Sequence, residues 1–229
     1  MTRRTQGTSA GLDRERIAAA AVVLVDRDGL ERFGVRRLAE ELGVDPMSIY
    51  HHIKGKAALL DAMSQAVLAE VAAGADDAPR GWEEITRWTA HRYREMAYRH
   101  PRVFPLLATR AQTSPVALAA LERLVTAMRE AGLPDQVVAD APLMLFGFLN
   151  GYLLAVLSGG PDGVGDMPAI DATAYPTMAT LMPLQAGFGS VAEFDRMLDA
   201  VLGGIRNRAN RQGDPLSAQT TANARRALH

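Results

Sequence analysis

Apolar residues recur along this chain at the spacing of a helix face, from one segment to the next, which predicts an all-α fold. In the first segment, residues 12–29, Ile17, Ala20, Ala21, Leu24 and Val25 share one face. In the second, Val35, Leu38, Ala39 and Leu42 do the same, while Arg36, Arg37, Glu40 and Glu41 stay in water. Gly43 should end that helix in a left-handed cap, with Val44 folding back on the apolar face. Asp45 followed by Pro46 restarts the chain, because the carboxylate caps free N–H groups and proline at the first helical position loses no hydrogen bond. The next helix is short, residues 46–52. Ile49, with Ile53 one turn on, anchors it, leaving Met47, Ser48, Tyr50, His51 and His52 on the open side.

Two short helices joined by a tight turn, with hydrogen-bonding side chains outward, form a helix-turn-helix, so double-stranded DNA is the leading ligand. With the leading helix they make a three-helix DNA-binding domain over residues 12–56. Gly55 is expected to stop the second helix. Lys56 then opens a long one, to about residue 74, carrying Leu59, Leu60, Met63, Val67, Leu68 and Val71; a helix N-terminus bearing a lysine suits a phosphate.

Residues 57–210 read as a second helical domain. After a polar break at 74–81, a helix runs from Trp82 to His100, where Pro101 forbids continuation. Short helical material follows at 104–112. Ser114 and Pro115 start another helix that Gly132 and Pro134 end. The stretch 141–157, APLMLFGFLNGYLLAVL, is apolar nearly all round and approaches spanning length. Asn150, Tyr152 and two glycines interrupt it and no basic flank follows, so burial is expected instead, with a partner subunit as the available cover. Residues 158–188 are rich in glycine and proline and read as a long loop. Ser190-Val191-Ala192-Glu193 is a capping box for a last helix with a stripe of Phe194, Met197, Leu198, Val201, Leu202 and Ile205. Leu149, Leu153, Phe194, Met197, Leu198, Val201 and Leu202 are the residues expected at a four-helix dimer interface. Residues 1–11 read as a flexible basic arm and 211–229 as a disordered tail.

Composition narrows the classes. The chain has 229 residues, 48% of them hydrophobic and 22% charged, with no cysteine, which removes disulfides, thiol nucleophiles and cysteine-containing zinc sites. The basic N-terminus has no apolar core, so neither a secretory signal nor a membrane anchor is expected and the cytoplasm fits best. A net charge of −1 argues against indiscriminate coating of nucleic acid. Residues 1–60 hold ten lysines and arginines against eight acidic residues, or +2, leaving −3 elsewhere. Arginines 3, 4, 14, 36 and 37, with Lys54 and Lys56, are the side chains that could reach phosphates. No catalytic motif is visible, and His91 and His100 stand nine apart on one helix, so neither an enzyme nor a metal site nor any cofactor is expected.

The leading helix, VRRLAEELGV, SIYHHIKGK and the following ALLDAM together resemble the tetracycline-repressor (TetR) family of bacterial transcription regulators. LLATR, residues 106–110, and the overall length are similar to the ligand-binding domain of the tetracycline-repressor branch itself. The resemblance implies a homodimeric repressor that binds a pseudo-palindromic operator and leaves it when a small molecule binds the second domain. It implies DNA contacts from Arg36, Ser48, Tyr50, His51, His52 and Lys56: Arg36 to a base edge, Tyr50 and Lys56 to phosphates, and the histidines at positions that vary between regulators. By position and chemistry, Phe104, Leu107, Thr109, Gln112, Phe146, Asn150 and Tyr152 are the effector-binding candidates, suggesting a hydrophobic or aromatic effector. The histidines with which that branch holds magnesium-tetracycline have Ala72 and Leu106 in their places and only Thr109 keeps the pattern, so tetracycline and magnesium are not expected. The competing class is a helical scaffold or partner-binding protein without DNA specificity, in which Ser48, Tyr50 and Lys56 would be replaceable.

Overall fold

The computed structural model describes residues 11–73, 79–158 and 170–213. Every regular element among them is helical: α1 (Arg14–Asp28), α2 (Val35–Leu42), α3 (Pro46–His52), α4 (Gly55–Ala72), α5 (Trp82–Arg99), α6 (Phe104–Thr109), α7 (Pro115–Glu130), α8 (Asp135–Leu157), α9 (Pro176–Leu181) and α10 (Val191–Gly213), with short 3-10 turns at Leu30–Arg32 and Met182–Gln185. The expected arm except Gly11, and the expected tail beyond residue 213, lie outside the described residues; residues 211–213, expected in the tail, are the end of α10. The chain forms two compact units, one comprising residues up to 77 with 92–120, the other 78–91 with 121–229. These units do not coincide with the expected division at residue 56.

In the first unit the helix ends follow from local chemistry. Asp13 caps α1 by accepting from the Arg16 N–H at 2.7 Å. At the end of α2, Gly43 adopts φ 65°, and the N–H groups of Gly43 and Val44 donate to the carbonyls of Glu40 and Ala39 at 3.1 and 3.0 Å. That is the Schellman pattern, and its left-handed residue sets the angle between α2 and α3. Asp45 caps α3, its carboxylate accepting from the Met47 N–H at 2.8 Å, with Pro46 at the first helical position. Gly55, expected to stop α3, instead opens α4 with φ 89°, after Ile53 has closed α3 in an extended conformation. Helix α1 packs against α2 and along α4, and α3 packs on α2. Leu38, Ile49 and Ile53 are buried beneath α3; each such side chain contributes about 1.5–3 kcal/mol.

Polar ties close the far end of this unit. Arg92 donates to the carbonyls of Glu70 and Val71, which end α4 without helical partners, at 2.9 and 3.0 Å. The half-buried His100 imidazole stands between Asp26 at 2.5 Å and Glu70 at 3.0 Å, and so joins α1, α4 and the end of α5. Burial raises the Asp26 carboxyl above its ordinary range. The helical material expected at 104–112 stops at Thr109, where Gln112 reaches back to the carbonyls of Leu107 and Arg110.

In the second unit α8 and α10 pack together. Leu145, Leu149, Leu153 and Val156 are buried, as are Phe194, Leu198, Leu202 and Ile205. The capping box forms with a change of partner. Ser190 Oγ accepts from the Glu193 N–H at 3.1 Å, while the Glu193 carboxylate accepts from Gly189 N–H at 2.7 Å and from the Tyr152 hydroxyl at 2.8 Å. One carboxylate thus caps α10 and pins it to α8. Arg208 meets Asp140 at 2.6 Å, and Arg87 and His91 meet Asp199 and Asp195 at 2.5 and 2.9 Å. The loop expected over 158–188 is helical in part, since α9 and the turn after it occupy 176–185; residues 159–169 lie outside the described ones. Helix α8 is long and apolar enough to cross a membrane, with mean hydropathy 1.5, and only a third of that window is buried. Ala139, Leu143, Gly147, Gly151 and Ala155, four apart in sequence, form an uncovered row along it, Leu143 being 76% exposed.

Replacing Gly43 by valine forces a β-branched residue into the left-handed region. Urea unfolding should show a loss of about 1–2 kcal/mol, whereas Gly34→Ala, at an extended backbone with open space around its Cβ, should cost far less.

Candidate nucleic-acid interface

Because Ile49 and Ile53 point inward, the rest of α3 faces out: Met47 is 61% exposed and Tyr50 40%, His51 and His52 are exposed, and Ser48 is half-buried. Arg36 lies exposed on the first turn of α2. It enters no ion pair among the described residues, so its five donors remain available. Lys56 is exposed on the first turn of α4, whose N-terminus carries no side-chain cap; its first N–H groups are open to an external acceptor. The expected DNA contacts therefore share one unit and one short segment of chain. Met47, on the same open side, adds an exposed apolar side chain to these polar ones.

Arg37 behaves differently from its neighbour. It pairs with Asp28 at 2.8 Å and donates to the Arg32 carbonyl, while Arg27 pairs with Glu41 at 2.9 Å and with Asp28 at 3.3 Å. These bonds cross from the end of α1 to α2 and hold its register; they also use the charge that would otherwise reach a phosphate. The hydrogen bonds from Arg27 hold the Asp28 and Glu41 carboxyls below their ordinary range.

The expected effector residues divide between the two units. Phe104 and Leu107 are fully buried core of the first, Phe104 meeting Tyr93 edge-on with centroids 5.7 Å apart. Thr109 is exposed and its hydroxyl donates to the Pro105 carbonyl at 2.7 Å. Gln112 lines an open cleft of about 500 Å³ with Asp61, Ser64, Gln65, Arg110 and Ser114. Phe146, Asn150 and Tyr152 are half-buried residues of α8 in the second unit. Asp61 lies within ALLDAM and Arg110 within LLATR. Their pairing across 49 residues, at 2.5 Å, has no local signature. Of the residues expected at a dimer interface, Leu149, Leu153, Phe194, Leu198 and Leu202 are sequestered inside a single subunit and offer no surface to a partner. Met197 is 40% exposed and Val201 half-buried. The helix pair was legible, but which of its faces closes on itself was not.

An anchored recognition helix with open donors, set in a helical chain, is that of a helix-turn-helix DNA-binding regulator. Residues 17–63 match the model of bacterial regulatory proteins of the tetR family, and residues 75–209 match the tetracyclin repressor-like C-terminal domain. The chain belongs to the tetracycline repressor family. It is 32% identical over 149 residues to the transcriptional repressor DrrR1 of Streptomyces coeruleorubidus, an alignment covering 65% of this chain and 55% of that protein. It is 28% identical over 201 residues to an HTH-type transcriptional regulator of Saccharopolyspora erythraea, covering 85% and 84%. The crystal structure of Streptomyces coelicolor ActR in complex with (S)-DNPA superposes with a TM-score of 0.72 at 26% identity, covering 87% of this chain and all of that one.

Because the Asp28 and Glu41 carboxyls are lowered in the folded state, the stability they contribute is present above their unfolded pKa of about 4 and lost as pH falls through the folded values. Arg27→Gln should therefore flatten the acid limb. In urea unfolding between neutral and strongly acid pH, the variant should lie below wild type at neutrality and converge on it in acid.

Proposed function

We propose that this protein is a homodimeric, cytoplasmic transcriptional repressor that binds a pseudo-palindromic operator through residues 12–56 and is released by a small effector held in residues 57–210. One observation carries the DNA reading: α3 is fixed by two fully buried isoleucines while Arg36, Tyr50, His51, His52 and Lys56 stand exposed in the same unit. Arg36 matches the two acceptors of guanine, and the histidines and Met47 meet base edges, a thymine methyl suiting the latter. Ser48, Tyr50 and Lys56 take phosphates, together with the uncapped N-terminus of α4, and fix register. Repression is the activity named for DrrR1, and a small-molecule complex of ActR supports an effector here.

Dimerisation is supported by what α8 leaves uncovered. An apolar helix only a third buried needs a second surface, and the row from Ala139 to Ala155, with Met197 of α10, has the small residues that let helices approach closely. Two copies would set their recognition helices about 34–36 Å apart or a multiple of that. An effector that favours another spacing shifts the population towards release, and operator DNA then weakens effector binding by the same factor. Phe104 and Leu107 are closed core, which leaves half-buried Phe146 as the apolar candidate for a hydrophobic or aromatic body; tetracycline with magnesium does not suit Ala72 and Leu106.

Selection from a randomised duplex pool at near-physiological salt should recover a pseudo-palindrome; recovery of nothing above background would favour a scaffold protein. On the selected site, Tyr50→Phe should weaken binding to all sequences alike. Arg36→Ala should relax preference at one position by about 1–3 kcal/mol; equal losses on random DNA would refute base reading by Arg36. Leu143→Glu should give a monomer by sedimentation, with full-site affinity falling to that of a half-site, and a dimer that persists would move the interface off α8.

A further inference from the structure

The cleft between α4 and the turn joining α6 to α7 lies wholly within the first unit, and its chemistry is not that of an apolar pocket. Arg110 is the single cation in its lining and Asp61 the single anion. Ser64, Gln65, Gln112 and Ser114 supply neutral polar groups, and the volume of about 500 Å³ is that of a small-molecule site. The Arg110–Asp61 pair is incomplete in a specific way. One guanidinium nitrogen, Nη2, meets one carboxylate oxygen at 2.5 Å, while the Arg110 Nε–H is buried without an acceptor. A guanidinium binds a carboxylate best through two parallel N–H donors, and Asp61, tethered to α4, supplies only one contact. Asp61 is half exposed, so it can turn to water when displaced. Gln112 holds the Arg110 backbone in place by donating to its carbonyl at 2.9 Å, so the cation stays while the anion is exchanged.

We propose that this cleft is an anion-accepting subsite for the effector, in which a carboxylate on a small molecule takes both donors of Arg110 and displaces Asp61. The inference rests on the effector reading above and names the chemistry of its ligand: a small organic acid whose body lies against Ala111 and Pro115 and the neutral polar groups of the cleft. It also supplies the differential contact that a switch requires. Asp61 belongs to α4, whose first turn carries Lys56 and the open N–H groups of the proposed phosphate site. Exchange at Arg110 therefore unfastens α4 from the α6 turn in the ligand-bound state only.

The test is calorimetric binding of phenylacetate, indole acetate and naphthalene acetate to the full-length protein, each against its primary amide. At least one acid should bind with a Kd below about 1 mM, and its amide should bind roughly tenfold or more weakly, the loss expected for a charged hydrogen bond. Arg110→Gln should abolish the preference for acid over amide. Asp61→Asn, which removes the internal competitor, should tighten acid binding, a gain that misfolding cannot produce. No acid binding at that level, acids and amides bound alike, or Asp61→Asn binding no better than wild type would each overturn the proposal. With the selected operator in hand, the bound acid should release DNA from wild type and not from Arg110→Gln. Acid binding with operator affinity unchanged refutes the effector role of the cleft. Release by another compound, equal in wild type and Arg110→Gln, refutes the subsite and leaves the ligand-responsive regulator standing.

Discussion

The burial of Ile49 and Ile53 beneath α3 is the constraint on which the DNA-facing surface depends. A seven-residue helix is too short to be stable alone, because nucleation costs more than so few hydrogen bonds return. Its position is set by two side chains without solvent exposure and by two ends, the Gly43 turn before it and the Asp45 cap at its start. Everything that can touch a base or a phosphate on α3 is displayed because these residues are not. The Arg27–Asp28–Arg37–Glu41 group adds little net stability at an exposed surface. It fixes α2 against α1, and thereby separates Arg37, which is committed to that task, from Arg36, which is not.

At the other end of the same unit, charge is enclosed. His100 places each ring nitrogen against a carboxylate from a different helix, and Arg92 satisfies the carbonyls that α4 leaves open. Three elements, α1, α4 and α5 with the residue that follows it, thus share one polar junction, with α4 running from it to the DNA-facing end. In that frame the pairing of Arg110 with Asp61 is a further fastening on α4, half exposed and single-pronged, and so readily exchanged for a ligand. A conformational response needs a contact that differs between two states, and a weak bond on a stiff helix supplies it better than a buried one would.

The second unit shows an apolar helix divided between two uses. One face of α8 closes on α10 through Leu149, Leu153, Phe194, Leu198 and Leu202, reinforced by the Glu193 carboxylate. The opposite row is apolar too but made of small residues, with Leu143 standing clear of them. A surface of that kind is costly in water. Its combination of flatness and small side chains suits another helix better than a small ligand.

Most of the local structure was legible in the chain because it is produced by interactions a few residues apart: Asp13, Gly43, Asp45-Pro46 and Ser190-x-x-Glu193 end or begin helices by local hydrogen bonding, and 3.6-residue spacing marks the buried faces. The exposed row on α3 was legible for the same reason, as the complement of Ile49 and Ile53. Where the chain misled, the cause was geometry at long range. Gly55 reads equally as a stop and as a start, and only the conformation of Ile53 distinguishes them. Leu149 and Phe194 are as apolar as any interface residue, and only the packing of α8 on α10 within one subunit removes them from the surface. Asp61 and Arg110 look like ordinary solvated charges until the fold brings them together beside an open cleft. Sequence by itself determined the helices, their caps and the family; tertiary structure decided which charges are spent on one another and which faces remain free, because those are properties of distance between segments and not of order along the chain.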